Sequence, residues 1–229
     1  PIFFHSIEKL LYSKKIKKIV IVASKENNEF IKNYLSSLNF KNIEVILGST
    51  ERKYSVKNAL IYISKYNPKN VIIHDSARPY FNKDIILNGL NFLDNYVCAI
   101  PVVKIVDTVK KINSDKVLST IKRDNLYYSQ TPQFFNYDKL QNLVLKQIDN
   151  KFYTDEAQLF EENNFEVAKI DGNLSNHKIT FKNDLDQLQE ISQKLIFTGI
   201  SSDVHELAPT ESLYLGGVHI PFKKGLLGH

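Results

Sequence analysis

The stretch Val71-Ile72-Ile73-His74-Asp75-Ser76-Ala77-Arg78-Pro79 decides the fold class. Three consecutive β-branched residues, with no polar alternation, suit a strand buried on both faces of a parallel sheet. The run then breaks into a polar turn closed by proline. Outward from it, the same short continuous pattern recurs at Lys18-Ile19-Val20-Ile21-Val22-Ala23, at residues 42–47 and at residues 97–103. Between these runs the apolar residues return to helical spacing, as in Phe30, Ile31, Tyr34 and Leu35, or Val56, Leu60 and Ile63. Helices are expected at the opening (Ile7, Leu10, Leu11), over 26–38, over 55–66 and over 84–95. Strands alternating with helices of this length give βαβ units and a mostly parallel α/β sheet.

After Lys104 the pattern changes. Residues 105–130 alternate weakly and carry many charges, which predicts a hairpin or arm outside the main sheet. Helices over 137–148 and 155–163, strands over 166–170 and 178–181, and a helix over 183–193 complete the reading.

Composition bounds the function classes. The 229 residues are 43% apolar and 24% charged, ordinary for a globular chain. A formal charge of +5 favours anionic ligands in general but is too diffuse to imply DNA or RNA. No apolar segment approaches the roughly 20 residues that cross a bilayer, and no secretory signal pattern is present. A reducing, cytoplasmic setting is therefore expected. The single cysteine, Cys98, sits in the apolar run Val97-Cys98-Ala99-Ile100 and reads as buried and inert. The sequence opens on Pro1-Ile2-Phe3-Phe4, contains no methionine and closes on Gly225-Leu226-Leu227-Gly228-His229. It reads as a fragment cut at both ends.

In parallel sheets ligands sit beyond the carboxyl ends of the strands. That rule draws attention to Ala23-Ser24, Gly48-Ser49-Thr50 and the turn from His74 to Pro79. Asp75 there could hold a divalent cation against a triphosphate, or could cap its loop and pair with Arg78; position alone leaves both open. Arg123 and Lys178 lie beside turn chemistry and suit phosphate binding, although isolated cations of this kind are more often solvated surface charges. Thr131 is held extended by the following Pro132. Thr154-Asp155-Glu156 opens a helix, where Thr is a good N-cap, and a helix N-terminus also attracts anions. Asp203-Val204-His205 places two potential metal ligands on one side of an extended segment, one short of the usual minimum of about three for zinc.

Together these segments resemble one family. His74-Asp75-Ser76-Ala77-Arg78-Pro79, Val106-Asp107-Thr108-Val109-Lys110, Lys122-Arg123, Thr131-Pro132-Gln133, Thr154-Asp155-Glu156-Ala157 and Lys178-Ile179-Thr180 follow the order and spacing of the 2-C-methyl-D-erythritol 4-phosphate cytidylyltransferases. The resemblance spans residues 1 to about 195. It implies a Rossmann-like nucleotidyltransferase with a protruding β-arm, acting with Mg²⁺ on CTP and methylerythritol phosphate. Asp75 would lie beside the phosphate and the metal, Lys178 and Arg123 would act in catalysis, and Thr131, Thr154 and Arg78 would contact substrate. Ser49, Thr50, Ser55 and Ser76 would line the nucleotide side. Thr108 and Arg123 would act across a homodimer through the arm.

The tail carries a second likeness. Asp203-Val204-His205 and Gly216-Gly217-Val218-His219-Ile220-Pro221 resemble the start of 2-C-methyl-D-erythritol 2,4-cyclodiphosphate synthase. In that reading residues 196–229 begin a second domain, Asp203 and His205 bind zinc or another divalent cation, and His229 lies on the substrate side. A fusion of the two would build a higher assembly. Departures from the first family are Thr50, Ser76 and His177, and a missing glycine-rich loop with an Arg and a Lys that clamp the triphosphate. The 229 residues alone are therefore expected to be essentially inactive. Alternatives are a cytidylyltransferase for another polyol phosphate, such as ribitol 5-phosphate, and a non-catalytic nucleotide-binding or dimerisation module.

Overall fold

The computed structural model describes residues 1–11, 13–147, 153–185, 204–209 and 212–227. These fall into two compact units, Pro1–Phe181 and Lys182–His229.

The first unit alternates as expected. Helix α1 (Ile2–Leu11) leads to β1 (Ile19–Ala23), α2 (Asn28–Ser36), β2 (Ile43–Leu47), α3 (Arg52–Ile63), β3 (Asn70–Ile73), α4 (Asp84–Phe92) and β4 (Cys98–Lys104). Strands β1 and β2 pair in parallel. Helix α3 begins at Arg52, earlier than the apolar spacing indicated, and ends in a 3₁₀ turn at Ser64–Tyr66.

A second sheet holds the candidate site. Strand β8 (Gln133–Asn136) runs antiparallel to both β3 and β4, so β3 and β4 point the same way. Strand β9 (Val167–Asp171) lies parallel to β4 on its other edge. Strand β7 (Tyr127–Ser129) also pairs antiparallel with β4, beyond β8, and the register shifts at Gln130–Pro132 between them. β3, β4 and β9 thus share one direction, with β7 and β8 reversed. The reversed strand β8 was not anticipated. It is short, follows a proline and runs straight into α5 (Tyr137–Gln147), leaving no turn signal to mark it.

Alternation along these strands builds a core on each face. Ala99 and Phe134 face one cluster, with Phe81 and with Ile85 and Ile86 of α4. Cys98 and Phe135 face the other, with Leu140 and Val144 of α5 and Leu159 and Phe160 of α6 (Ala157–Glu162). Phe134 and Phe135 have no exposed surface, and each such ring contributes roughly 1.5–3 kcal/mol by leaving water. Cys98 is fully buried and burial pushes its thiol pKa up, as its inert reading required.

The arm is the hairpin of β5 (Val109–Asn113) and β6 (Lys116–Ile121), turned at Ser114 with φ of 49°. Residues 178–181 do not form the expected strand. The Ile179 N–H donates to the Ala77 carbonyl at 2.8 Å, which ties the segment to the turn after β3 without extending a sheet ladder. The expected helix over 183–193 is helical at 183–185, and its remainder lies outside the described residues.

In the second unit β10 (Leu207–Ala208) pairs antiparallel with β13 (Gly225–Leu226). A hairpin joins β11 (Leu213–Leu215) to β12 (Val218–Ile220) through Gly216 and Gly217, at φ of 57° and 77°. Two consecutive left-handed residues are what a tight type I′ turn needs, and glycine takes them without strain. The expected domain boundary at 195/196, together with Asp203 and His229, lies outside the described residues.

Candidate active site

The site forms because β8 is reversed. Ile73 stands opposite Gln133, so the exit of β3 at His74-Asp75 meets the entry of β8 at Thr131. The Asp75 N–H donates to the Thr131 hydroxyl oxygen at 3.0 Å. The chain returns a third time after β9, and the Ile179–Ala77 bond places Lys178 over the turn. Lys178 Nζ reaches Asp75 Oδ2 at 3.0 Å, and Arg78 Nε lies 3.7 Å from the same oxygen. Asp75 thus both pairs with Arg78 and faces the open cation of Lys178. Burial alone would raise its carboxyl, but Lys178, Arg52 and Arg78 outweigh it and hold the pKa below the ordinary carboxylate range.

A buried clamp fixes this cluster from behind. Asn176, with no exposed surface, donates through Nδ2 to the Thr131 carbonyl at 2.9 Å. Its own carbonyl receives Arg78 Nη1 at 2.8 Å and Gln130 Nε2 at 3.1 Å. Gln130 Oε1 in turn accepts the Asn173 N–H at 3.1 Å. The 173–178 turn is therefore tied to both Thr131 and Arg78, which sets where Lys178 can stand.

The nucleotide-side residues gather at the start of α3. Ser55 Oγ accepts the Ser49 N–H at 2.9 Å and lies 3.1 Å from the Glu51 carbonyl. Gly48 permits this closeness, since a Cβ there would stand 2.8 Å from Ser55 Oγ. Ser49 and Thr50 are exposed beside it. Ser76 is exposed, and its carbonyl receives the Ser6 hydroxyl at 2.5 Å, anchoring the turn to α1.

Arg52 forks onto Glu156, with Nη1 and Nη2 at 2.6 and 2.8 Å from its two oxygens. Glu156 is fully buried, and burial pushes its carboxyl pKa up despite the guanidinium. This pair joins α3 to the turn before α6. Thr154 is exposed there, and the cap expected of it is supplied instead by Asp155, whose Oδ1 accepts the Gln158 N–H at 3.2 Å. Thr154 lies one residue further from the helix, and that N–H is taken by Asp155. Asp155 Oδ2 also accepts Gln133 Nε2 at 2.9 Å and the Ser129 hydroxyl at 3.1 Å.

Thr108 and Arg123 lie exposed on the arm, where Arg123 donates to the Val106 carbonyl. In the second unit His205 Nδ1 lies 3.2 Å from the Leu227 carbonyl. A carbonyl only accepts, so Nδ1 is the donor in this contact. Among the described residues no three metal-ligating side chains cluster. None of the described helices is long and apolar enough to cross a membrane.

Sequence reading gave no role to His74, Gln130, Asn176, Arg52 or Glu156. Only His74 carried a signal, as the first polar residue after a buried strand run.

Comparison with known proteins settles the lineage. The family model of 2-C-methyl-D-erythritol 4-phosphate cytidylyltransferase (IspD) matches residues 1–194. The chain belongs to that family. A relative, the bifunctional enzyme IspD/IspF of Pelagibacter ubique, is 42% identical over 229 residues, covering 100% of the chain and 58% of that protein. The enzyme of the same description from Bartonella tribocorum is 33% identical over 237 residues, with 59% of its length covered. The chain thus spans a little over half the length of these relatives. Among solved structures, the 4-diphosphocytidyl-2C-methyl-D-erythritol synthase of Anaerococcus prevotii matches with a TM-score of 0.75 at 30% identity. That match covers 84% of the chain and 86% of the synthase. The bifunctional IspDF of Campylobacter jejuni matches at 0.67 and 26% identity, over 100% of the chain and 57% of that structure. The Rossmann-like α/β fold expected from the sequence is the fold of these cytidylyltransferases.

Proposed function

We propose that the protein transfers CMP from CTP to 2-C-methyl-D-erythritol 4-phosphate, in isoprenoid biosynthesis. The carrying observation is the Lys178–Asp75–Arg78 cluster at the end of β3, which gathers two cations around one half-buried carboxylate. Lys178 and Arg78 bind and orient the acceptor phosphate, and Asp75 keeps both in register. One oxygen of that phosphate forms the new bond to the α-phosphorus of CTP. The bond from that phosphorus to the β-phosphate oxygen breaks, and its electron pair leaves with pyrophosphate. Ser55, Ser49 and Thr50 shape the base side, Ser76 flanks it, and Thr154 stands beside the acceptor.

The residues suit Mg²⁺ brought in with substrate phosphates. Asp75 Oδ2 faces the two cations, while Oδ1 has no protein partner among the described residues, and Mg²⁺ commonly takes one or two carboxylates plus phosphate oxygens. Bound there, it would supply charge neutralisation at the transferred phosphoryl group.

The arm exposes Ile112, Val117 and Leu118, each more than half open, which supports a homodimer in which the arm and its Thr108 and Arg123 reach a second subunit. For the full-length protein we propose a cyclodiphosphate synthase activity from a domain beginning near residue 196, with Asp203 and His205 among the ligands of zinc or a like cation. His229 would stand on its substrate side. The test is pyrophosphate release from CTP by the full-length protein, with methylerythritol phosphate compared against ribitol 5-phosphate. Equal or higher turnover of ribitol 5-phosphate would overturn the substrate assignment.

A further inference from the structure

His74 sits inside the cluster yet has no part in the chemistry just described. Its ring bridges two chain segments, with Nε2 3.1 Å from the Arg78 carbonyl and Nδ1 3.0 Å from Thr131 Oγ1. The ring lies edge-on to the buried Phe81, at 4.7 Å between centroids. Each proton in this chain can be placed. The Arg78 carbonyl only accepts, so Nε2 carries the hydrogen of the neutral ring. Nδ1 is then an acceptor. Thr131 Oγ1 already accepts the Asp75 N–H, so its own hydrogen points to Nδ1.

We propose that His74 is a positioning residue for phosphoryl-group transfer at this site. Through the Thr131 hydroxyl it holds the Asp75 backbone, and through the Arg78 carbonyl it holds the turn that aims Asp75 at Lys178. The proposal rests on the acceptor-phosphate reading of the cluster. It also deepens that reading, because it reassigns Thr131. The one hydroxyl proton of Thr131 is committed to His74, and what remains on Oγ1 is a lone pair, which repels a phosphate oxygen. Thr131, only 6% exposed, therefore works on the Asp75 backbone, and the direct phosphate contacts fall to Lys178 and Arg78.

The test uses the full-length enzyme and a ladder of substitutions. His74→Gln keeps a donor toward Arg78 and loses the Nδ1 acceptor; His74→Asn does the reverse; His74→Phe fills the space and loses both. The expected result is a fall in kcat of about tenfold for Gln and Asn and about a hundredfold for Phe, the scale of misplaced catalytic groups. KM for CTP should move by less than about twofold, since the Gly48–Ser55 loop is untouched. Thr131→Val combined with His74→Gln should cost little more than Thr131→Val alone, because the Thr131–His74 hydrogen bond that His74→Gln breaks is already lost in it. Thr131→Ser should restore activity. Wild-type kcat in His74→Phe, or effects that multiply in the double variant, would overturn the proposal. Long-range ¹H–¹⁵N correlation on ¹⁵N-histidine-labelled protein gives a readout free of activity and of variant folding. It should show the Nε2–H tautomer at His74; the Nδ1–H tautomer would overturn the proposal. A wild-type protein that releases no pyrophosphate would sink the functional reading instead, and the tautomer would still decide this one.

Discussion

Replacing Asp75 by Asn keeps the side-chain shape and removes the charge that Lys178 and Arg78 face. Two cations would then stand together without their carboxylate, in a position to bind phosphate but not to be held in register. We expect kcat/KM for the acceptor phosphate to fall by about 10²–10³, the usual scale for a preorganised charged group, with the fold intact by circular dichroism. A decrease below about threefold would remove Asp75 from the chemistry. Gly89 is a contrasting single residue, because it serves packing alone. A Cβ there would stand 2.2 Å from the buried Phe134 ring, so Gly89→Ala must push α4 off the sheet. Overpacking of this kind costs about 1–3 kcal/mol, readable as a lower urea midpoint at unchanged slope.

At the scale of elements, Glu44 shows how β2 is fastened to the end of α3. Its Oε1 receives Lys18 Nζ and the Tyr66 hydroxyl, each at 2.5 Å, and its Oε2 the Tyr62 hydroxyl at 2.7 Å. These partners, Lys18 foremost, hold its pKa down to about 2 from an ordinary 4.5. A depressed carboxyl stabilises fully above its unfolded pKa, and the contribution fades as pH falls from about 4.5 toward 2. Denaturation at pH 5 and pH 3 should therefore show a larger acid loss in wild type than in Glu44→Gln, and equal losses would contradict the assignment. The Arg52–Glu156 fork ties α3 to the turn before α6. Arg52→Ala leaves a buried carboxylate unpaired and should destabilise by about 3 kcal/mol at neutral pH, less at acid pH where Glu156 takes up a proton. The elements legible in the sequence were those with dense apolar runs: β1, β2, β3, β4 and β9. Strand β8 was not, because Gln133–Asn136 offers only two apolar residues between a proline and a helix. Residues 178–181 misled in the other direction, since Ile179 and Phe181 alternate like a strand, yet the segment joins no sheet and Ile179 bonds to Ala77 in a turn.

For the whole molecule, β8 explains why the site was legible in its parts and not in its assembly. Asp75, Arg78 and Lys178 could each be marked from local turn chemistry and from family resemblance. That His74, Thr131 and Asn176 lock them together depends on a reversed strand and on side-chain pairs far apart in sequence, which periodicity does not encode. The measurement that bears most directly on the account is pyrophosphate release from CTP by the full-length protein, with methylerythritol phosphate as acceptor, compared between wild type, Asp75→Asn and Lys178→Ala. The account predicts acceptor-dependent release by wild type and its near loss in both variants. Release that proceeds unchanged in the two variants, or no acceptor-dependent release by wild type, would contradict it.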